Sequence, residues 1–273
     1  MNLYNVIEQI EKTDPEVYER LDGRRDALKR FSGYAGKLAL LSVPFALGSM
    51  FKKAYGQSAS GILDVLNFAL TLEYLEAEFY TKGAAAANLV PAGPATGAIT
   101  TIRDHENAHV QFLKTAITAS GGTPVTKPEF DFTAGGNFND VFSNYDTFLA
   151  IAQAFEDTGV RAYKGQAGAL MSNNDVLTAA LNIHSVEARH ASHIRQMRKA
   201  RGANVKPWIT NKERGGLPAA AQGIYDGEEN VSQGGVTITN INGMSISVED
   251  ATEAFDEPLT KDQVLAIVTP FLA

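Results

Sequence analysis

From about Gly61 to about Arg201, apolar residues recur every three or four positions, the period of a helix with one buried face. Four stripes stand out. The first runs Leu66, Leu70, Glu73, Ala77, Tyr80, and the second Ile102, Glu106, His109, Leu113, Ala116. The third is Leu149, Ala152, Glu156, Val160, Tyr163, Ala167, and the fourth Ala180, Ile183, Glu187, His190, Ile194, Met197. The segment GAAAANLVPAGPATG separates the first two helices. Gly121-Gly122-Thr123-Pro124 stops the second, since glycine favours a helix exit and proline cannot continue one. About 25 residues of loop follow, from Gly121 to Tyr145. The third and fourth helices are joined only by Ser172-Asn173-Asn174-Asp175, whose side chains suit a helix N-cap. Short, long and short connections predict an all-α core over residues 58–202, a four-helix bundle with one long crossover.

The pattern changes after Gly202. Val236-Thr-Ile-Thr239 and Met244-Ser-Ile-Ser-Val248 alternate on either side of Asn240-Ile241-Asn242-Gly243, which predicts a β-hairpin. Thr260-Lys-Asp-Gln263 is a capping box that opens a short helix into VLAIVTPFL. Residues 203–273 carry no catalytic constellation and are expected to cover one end of the bundle or to form an oligomer contact, as in a homo-oligomer.

Composition narrows the chemistry. The 273 residues include no cysteine, which excludes disulfides, zinc–thiolate sites, iron–sulfur clusters and thiol nucleophiles. A formal charge of −7 argues against nucleic-acid binding, which needs a basic footprint. Any metal must be held by oxygen and imidazole, and there are five histidines. Charge is also uneven along the chain. Residues 1–23 carry six acidic and two basic side chains, whereas residues 24–53 carry seven basic and one acidic. Inside the basic block lies LALLSVPFALGSMF, from Leu38 to Phe51, which is too short for a membrane span but suits a signal-peptide core. Gly23-Arg24-Arg25-Asp26 looks like a twin-arginine export motif. Residues 1–57 therefore read as an N-terminal extension bearing an export signal, giving a periplasmic or extracellular protein without a stable membrane span. The alternative is a helical extension, started at Thr13-Asp14-Pro15-Glu16, on a cytoplasmic protein.

The chemistry-bearing residues repeat. Glu73 and Glu156 are each followed seven residues later by a tyrosine, Tyr80 and Tyr163. The second and fourth helices carry Glu106-Asn-Ala-His109 and Glu187-Ala-Arg-His190. Random order predicts about 0.3 Glu-x-x-His occurrences (17 × 5/273), and there are two, both on predicted helices. Residues three apart on a helix share a face, so each pair can bind one ion or two adjacent ones. Glu73 and Glu156 can add terminal or bridging carboxylates. Four unpaired carboxylates inside a bundle would repel, and burying each would cost several kcal/mol. Two divalent ions balance the charge of Glu73, Glu106, Glu156 and Glu187, and neutral His109 and His190 complete the set. Oxygen and imidazole suit iron or manganese, with zinc a poorer fit.

The stretches LNFALTLEYLEAEFY, IRDHENAHVQFL, FLAIAQAFEDTGVRAY and HSVEARHASHIRQM, between Ile62 and Arg198, resemble the ferritin-like superfamily, and within it the branch related to desiccation-associated proteins. The resemblance covers about half the chain. It implies a ferritin-like four-helix bundle with a di-metal carboxylate centre on the six residues named above. Ferroxidases, oxygen- and peroxide-activating di-iron proteins and manganese catalases belong to that superfamily. It therefore implies redox chemistry on dioxygen or a peroxide as the small-molecule partner. A non-catalytic bundle for metal sequestration or stress protection, and a storage cage, are the alternatives.

Neighbouring titratable residues are weighed against these six. Glu76 and Glu78 point about 60° and 140° away from Glu73, at 100° per residue; Glu73 is favoured because Tyr80 repeats the Glu156–Tyr163 spacing, with Glu76 the alternative ligand on that helix. His105 is adjacent to Glu106 and about 100° off its face. Tyr80, Tyr163, His184 and His193 are candidates to support the ligands from behind. Asp104 and Asp157 could orient an imidazole or be solvated.

Overall fold

The computed structural model describes residues 59–273, so the export-signal reading of residues 1–57 lies outside the described residues. Four long helices carry the stripes: α1 Ala59–Ala85, α2 Pro94–Ala119, α3 Tyr145–Ala167 and α4 Asn174–Ala200. Their ends are set by local chemistry. Gly93, at φ +100°, turns the chain into α2, and Pro94 occupies the first turn, where its missing N–H costs nothing. Asn144 caps α3 by accepting from the Asp146 and Thr147 N–H groups, and Asn173 caps α4 by accepting from Val176 N–H. At the end of α2, Gly121 takes φ +78° and the Gly122 N–H returns to the Ile117 carbonyl.

Helix α1 packs along α2 and α3 along α4, and the two pairs meet through α1–α3 and α2–α4. The α1–α3 seam is close at one point: a Cβ on Gly83 would lie 2.2 Å from the Phe148 ring. Next to it an aromatic cluster centres on Phe79, which stacks on Phe148 at 4.7 Å and meets Phe155 edge-on at 5.1 Å. The crossover contributes Phe130 and Phe132 to this core, so the long connection is fastened rather than loose.

Residues 203–273 are built into the flank of the bundle, not laid over one end. Gly165 on α3 makes room for the backbone of Leu259, whose carbonyl would lie 1.9 Å from a Cβ there, and the Leu259 N–H donates to the Arg161 carbonyl. Arg195 on α4 donates to both oxygens of Asp157 on α3 (2.9 and 2.6 Å), and the Tyr225 hydroxyl donates to the same carboxylate at 2.6 Å. Arg161 pairs with Glu228 at 2.7 Å. The C-terminus then pairs with the crossover, with the Asp131 N–H on the Phe271 carbonyl and the Ala273 N–H on Glu129.

The strand region holds two small hairpins where one is expected. β1 Ser232–Gln233 pairs with β2 Val236–Thr237, and β3 Asn240–Ile241 with β4 Met244–Ser245. Asn240 and Ile241 are thus strand, and the turn is Asn242-Gly243 alone, both at positive φ. Gly234-Gly235 makes the same turn eight residues earlier. Two short helices follow, α5 Val248–Thr252 and α6 Lys261–Val268, and α6 opens on the Thr260–Gln263 capping box. Among the described residues no helix is long and apolar enough to cross a membrane.

Candidate metal centre

The periodicity that buries Leu66, Leu70, Leu113 and Ile194 also carries Glu73, Glu106, Glu156 and Glu187 to the bundle axis, where each is fully buried. His109 and His190, one turn after the glutamates of α2 and α4, are buried beside them. Ligand atoms of these six residues form two overlapping groups. One comprises Glu73, Glu106, His109 and Glu187, the other Glu106, Glu156, Glu187 and His190, and within each the atoms lie within 4.8 Å of one another. Glu106 and Glu187 belong to both groups, so they stand where bridging carboxylates would. Glu73 and Glu156 each belong to one and stand where terminal carboxylates would, a distinction that spacing alone leaves open.

The hydrogen bonding of this cluster does not close. His109 Nδ1 faces Glu73 Oε2 at 3.1 Å, Glu106 Oε2 at 3.2 Å and Glu187 Oε1 at 3.2 Å, yet one ring nitrogen can donate only one proton. His190 Nδ1 is 2.8 Å from Glu106 Oε1 but misaligned for a hydrogen bond. Among the described residues Glu106 Oε1, Glu156 Oε2, both oxygens of Glu187 and His190 Nδ1 are buried with no hydrogen-bond partner. Each such atom costs about 1–3 kcal/mol if nothing satisfies it, more for a charged group. Convergent, orphaned oxygen and imidazole donors fit a pair of divalent ions.

Electrostatics express the same tension. Burial, joined by repulsion from Glu187 and Glu73, pushes the Glu106 carboxyl well above the usual range. Burial raises Glu156 and Glu187 to about 8, with Glu73 repelling both. Burial would also raise Glu73, but His109, with hydrogen bonding from Glu106 and Tyr163, overcomes it and holds the carboxyl low. Conversely, burial would lower His109, but Glu73, Glu106 and Glu187 together raise that imidazole, whereas burial lowers His190. Burial and mutual repulsion thus favour the protonated forms of Glu106, Glu156 and Glu187, while Glu73 and His109 favour each other's charged forms.

The tyrosines support the carboxylates across the bundle. Tyr80 donates to Glu156 Oε1 at 2.5 Å and Tyr163 donates to Glu73 Oε1, so each tyrosine serves the glutamate of the other helix. That reciprocity requires α1 and α3 to run antiparallel. Burial and the adjacent carboxylates push both phenols well up, keeping them as donors. The remaining candidates fall elsewhere. His193 is exposed, and half-buried His184 feels Asp256 and Lys164, so neither joins the cluster. Asp157 is buried but holds Arg195 and Tyr225 instead of an imidazole. Asp104 is exposed and pairs with Arg103, and Glu78 pairs with Lys82 and Lys127. Exposed His105 reaches His190, its Nδ1 being 2.9 Å from His190 Nε2, the ring nitrogen other than the one beside Glu106. Spacing alone places His105 off the ligand face, because its partner is on another helix.

An apolar cavity of about 20 Å³ lies one turn from the cluster, with Ala69, Leu72, Leu113, Ala162, Tyr163 and Ile183 in its lining.

Comparison with known proteins agrees with this arrangement. Among curated proteins nothing matches the chain. A family model described as a ferritin-like domain matches residues 61–200, which are the four helices and the crossover between them. With half of the sequence and every residue of the buried cluster inside that match, the chain belongs to the ferritin-like domain family.

Proposed function

We propose that the bundle holds two divalent ions, iron or manganese, on Glu73, Glu106, His109, Glu156, Glu187 and His190, and performs redox chemistry on dioxygen or a peroxide. The observation that carries this reading is the pair of overlapping donor groups with its unpartnered Glu106, Glu156, Glu187 and His190 atoms. Two open-shell ions, when bound, would supply the two electrons that peroxide reduction or disproportionation needs. The protein's own residues have three tasks. Glu106 and Glu187 would hold both ions together, Tyr80 and Tyr163 fix the outer oxygens of the terminal carboxylates, and His105 orients the His190 ring. The cavity beside Tyr163 favours a small oxidant, because it is apolar and has room for little more than a molecule of water or dioxygen.

In this reading the chain belongs with the desiccation-related branch of the family. Residues 58–202 form its metal-holding part, residues 203–273 its brace, and residues 1–57 direct its export. The test is elemental analysis of protein purified without added metal, with peroxide consumption measured on the same sample. Two manganese ions per chain with rapid dioxygen release identify a catalase-like enzyme, and two irons point to oxidase, peroxidase or ferroxidase chemistry. Failure to bind either Fe²⁺ or Mn²⁺ on reconstitution refutes the di-metal assignment. Two bound ions without turnover of peroxide or Fe²⁺ would instead identify a sequestering or protective protein.

A further inference from the structure

The two halves of the bundle differ at one position close to the centre. Counted from Glu73 on α1 and Glu156 on α3, the seventh following residue is tyrosine in both, but the third is Glu76 on α1 and Gly159 on α3. The two positions are spatially linked. A Cβ built on Gly159 would lie 3.3 Å from Glu76 Oε1 and 3.3 Å from Glu187 Oε2. The missing side chain thus leaves a niche, and carboxyl oxygens from α1 and α4 converge on it. Glu76 is only 4 % exposed, Glu187 is fully buried, and among the described residues neither oxygen of Glu187 has a hydrogen-bond partner. The charged surroundings of Glu76 are Glu187, Glu156, Glu73 and His109. A carboxyl so placed serves no packing purpose that leucine would not serve better.

We propose that Glu76 is a seventh metal ligand, entering from one half of the bundle only, and that it makes the two ion positions unequal. This inference rests on the di-metal reading above. The six repeated residues offer each ion four donors of the same kind, whereas divalent iron and manganese commonly take five or six. An added oxygen from Glu76, beside Glu187 in the Gly159 niche, serves one ion and leaves the other with an open position for an exogenous ligand.

The experiment uses the full chain, Mn²⁺ alone as probe, anaerobic calorimetry and electron paramagnetic resonance of the loaded protein. The wild type should take up two ions with separated affinities. Glu76→Gln should still bind two, with the tighter ion weakened about 10- to 100-fold and an altered resonance spectrum. Glu76→Leu, which keeps the volume and removes the oxygen, should weaken the same ion, and it carries the test if Glu76→Gln does not fold. Superimposable isotherms and spectra for wild type and either folded variant would overturn the role of Glu76 while leaving the six-residue centre standing. A wild type that binds no Mn²⁺ would overturn both.

Discussion

Loading the centre with two divalent ions should expel about four protons at pH 7, and the structure identifies their sources. Burial pushes Glu106 well up and raises Glu156 and Glu187 to about 8, which favours the protonated form of all three at neutrality. His109 carries a proton stabilised by Glu73, while Glu73 is already ionised and His190 already neutral. Ligation requires all four carboxylates ionised and both imidazoles neutral at the coordinating nitrogen, so four proton sites must empty. The charge entering as two ions then equals the charge leaving as protons, and the buried site stays near neutral throughout. At pH 9 Glu156 and Glu187 have already ionised, and the number should fall to about two. The product of the two binding constants should correspondingly rise by about four orders of magnitude per pH unit near pH 7 and by about two near pH 9. Titration with Mn²⁺ under weak buffering, read by an indicator dye or by calorimetry in buffers of different ionisation enthalpy, gives the count. Release of fewer than one proton per ion at pH 7 would refute the reasoning, because the carboxylates would then be ionised and solvated before the metal arrives.

Because Glu106 and Glu187 lie in both donor groups, Glu187→Ala should lose both ions, whereas Glu73→Ala should lose one, as counted by elemental analysis of folded protein. Metal-free protein should lose stability as pH rises from about 4.5 to about 8. Glu156 and Glu187 have folded pKa values above their unfolded ones, so the folded state holds protons that the unfolded state releases over that interval. Thermal melts across that range should show the decline without metal and its disappearance in the loaded protein. Arg195→Leu should destabilise the fold by about 3–5 kcal/mol, measured by urea unfolding, since it strands the buried Asp157 carboxylate that also accepts from Tyr225. An effect below about 1 kcal/mol would mean that Asp157 finds solvent or another partner.

The four helices were legible in the sequence because a 3.6-residue period is a local property, and glycine, proline and asparagine mark ends through backbone rules that need no neighbour. The residue types of the buried cluster were legible for the same reason, since Glu-x-x-His places two donors on one face whatever packs against it. Pairing across helices was not legible. The seven-residue interval from Glu73 to Tyr80 leaves open which carboxylate each tyrosine meets, and an antiparallel α3 sends Tyr80 to Glu156 and Tyr163 to Glu73. Likewise, only the meeting of α2 with α4 brings His105 to His190, and only the approach of all four helices makes Glu106 and Glu187 common to both donor groups. The matched registers of Glu73 and Glu156 did contain the signal for Glu76, as the glycine at 159, yet the meaning of that glycine depends on which side chain fills the space it leaves. The C-terminal extension shows the limit most plainly. Gly165, Asp157, Arg161 and Arg195 look like ordinary helix positions until residues 203–273 return to them, because contacts between distant segments leave no period in the sequence. Local spacing determined which residues could carry the chemistry, and tertiary packing alone decided which atoms face one another.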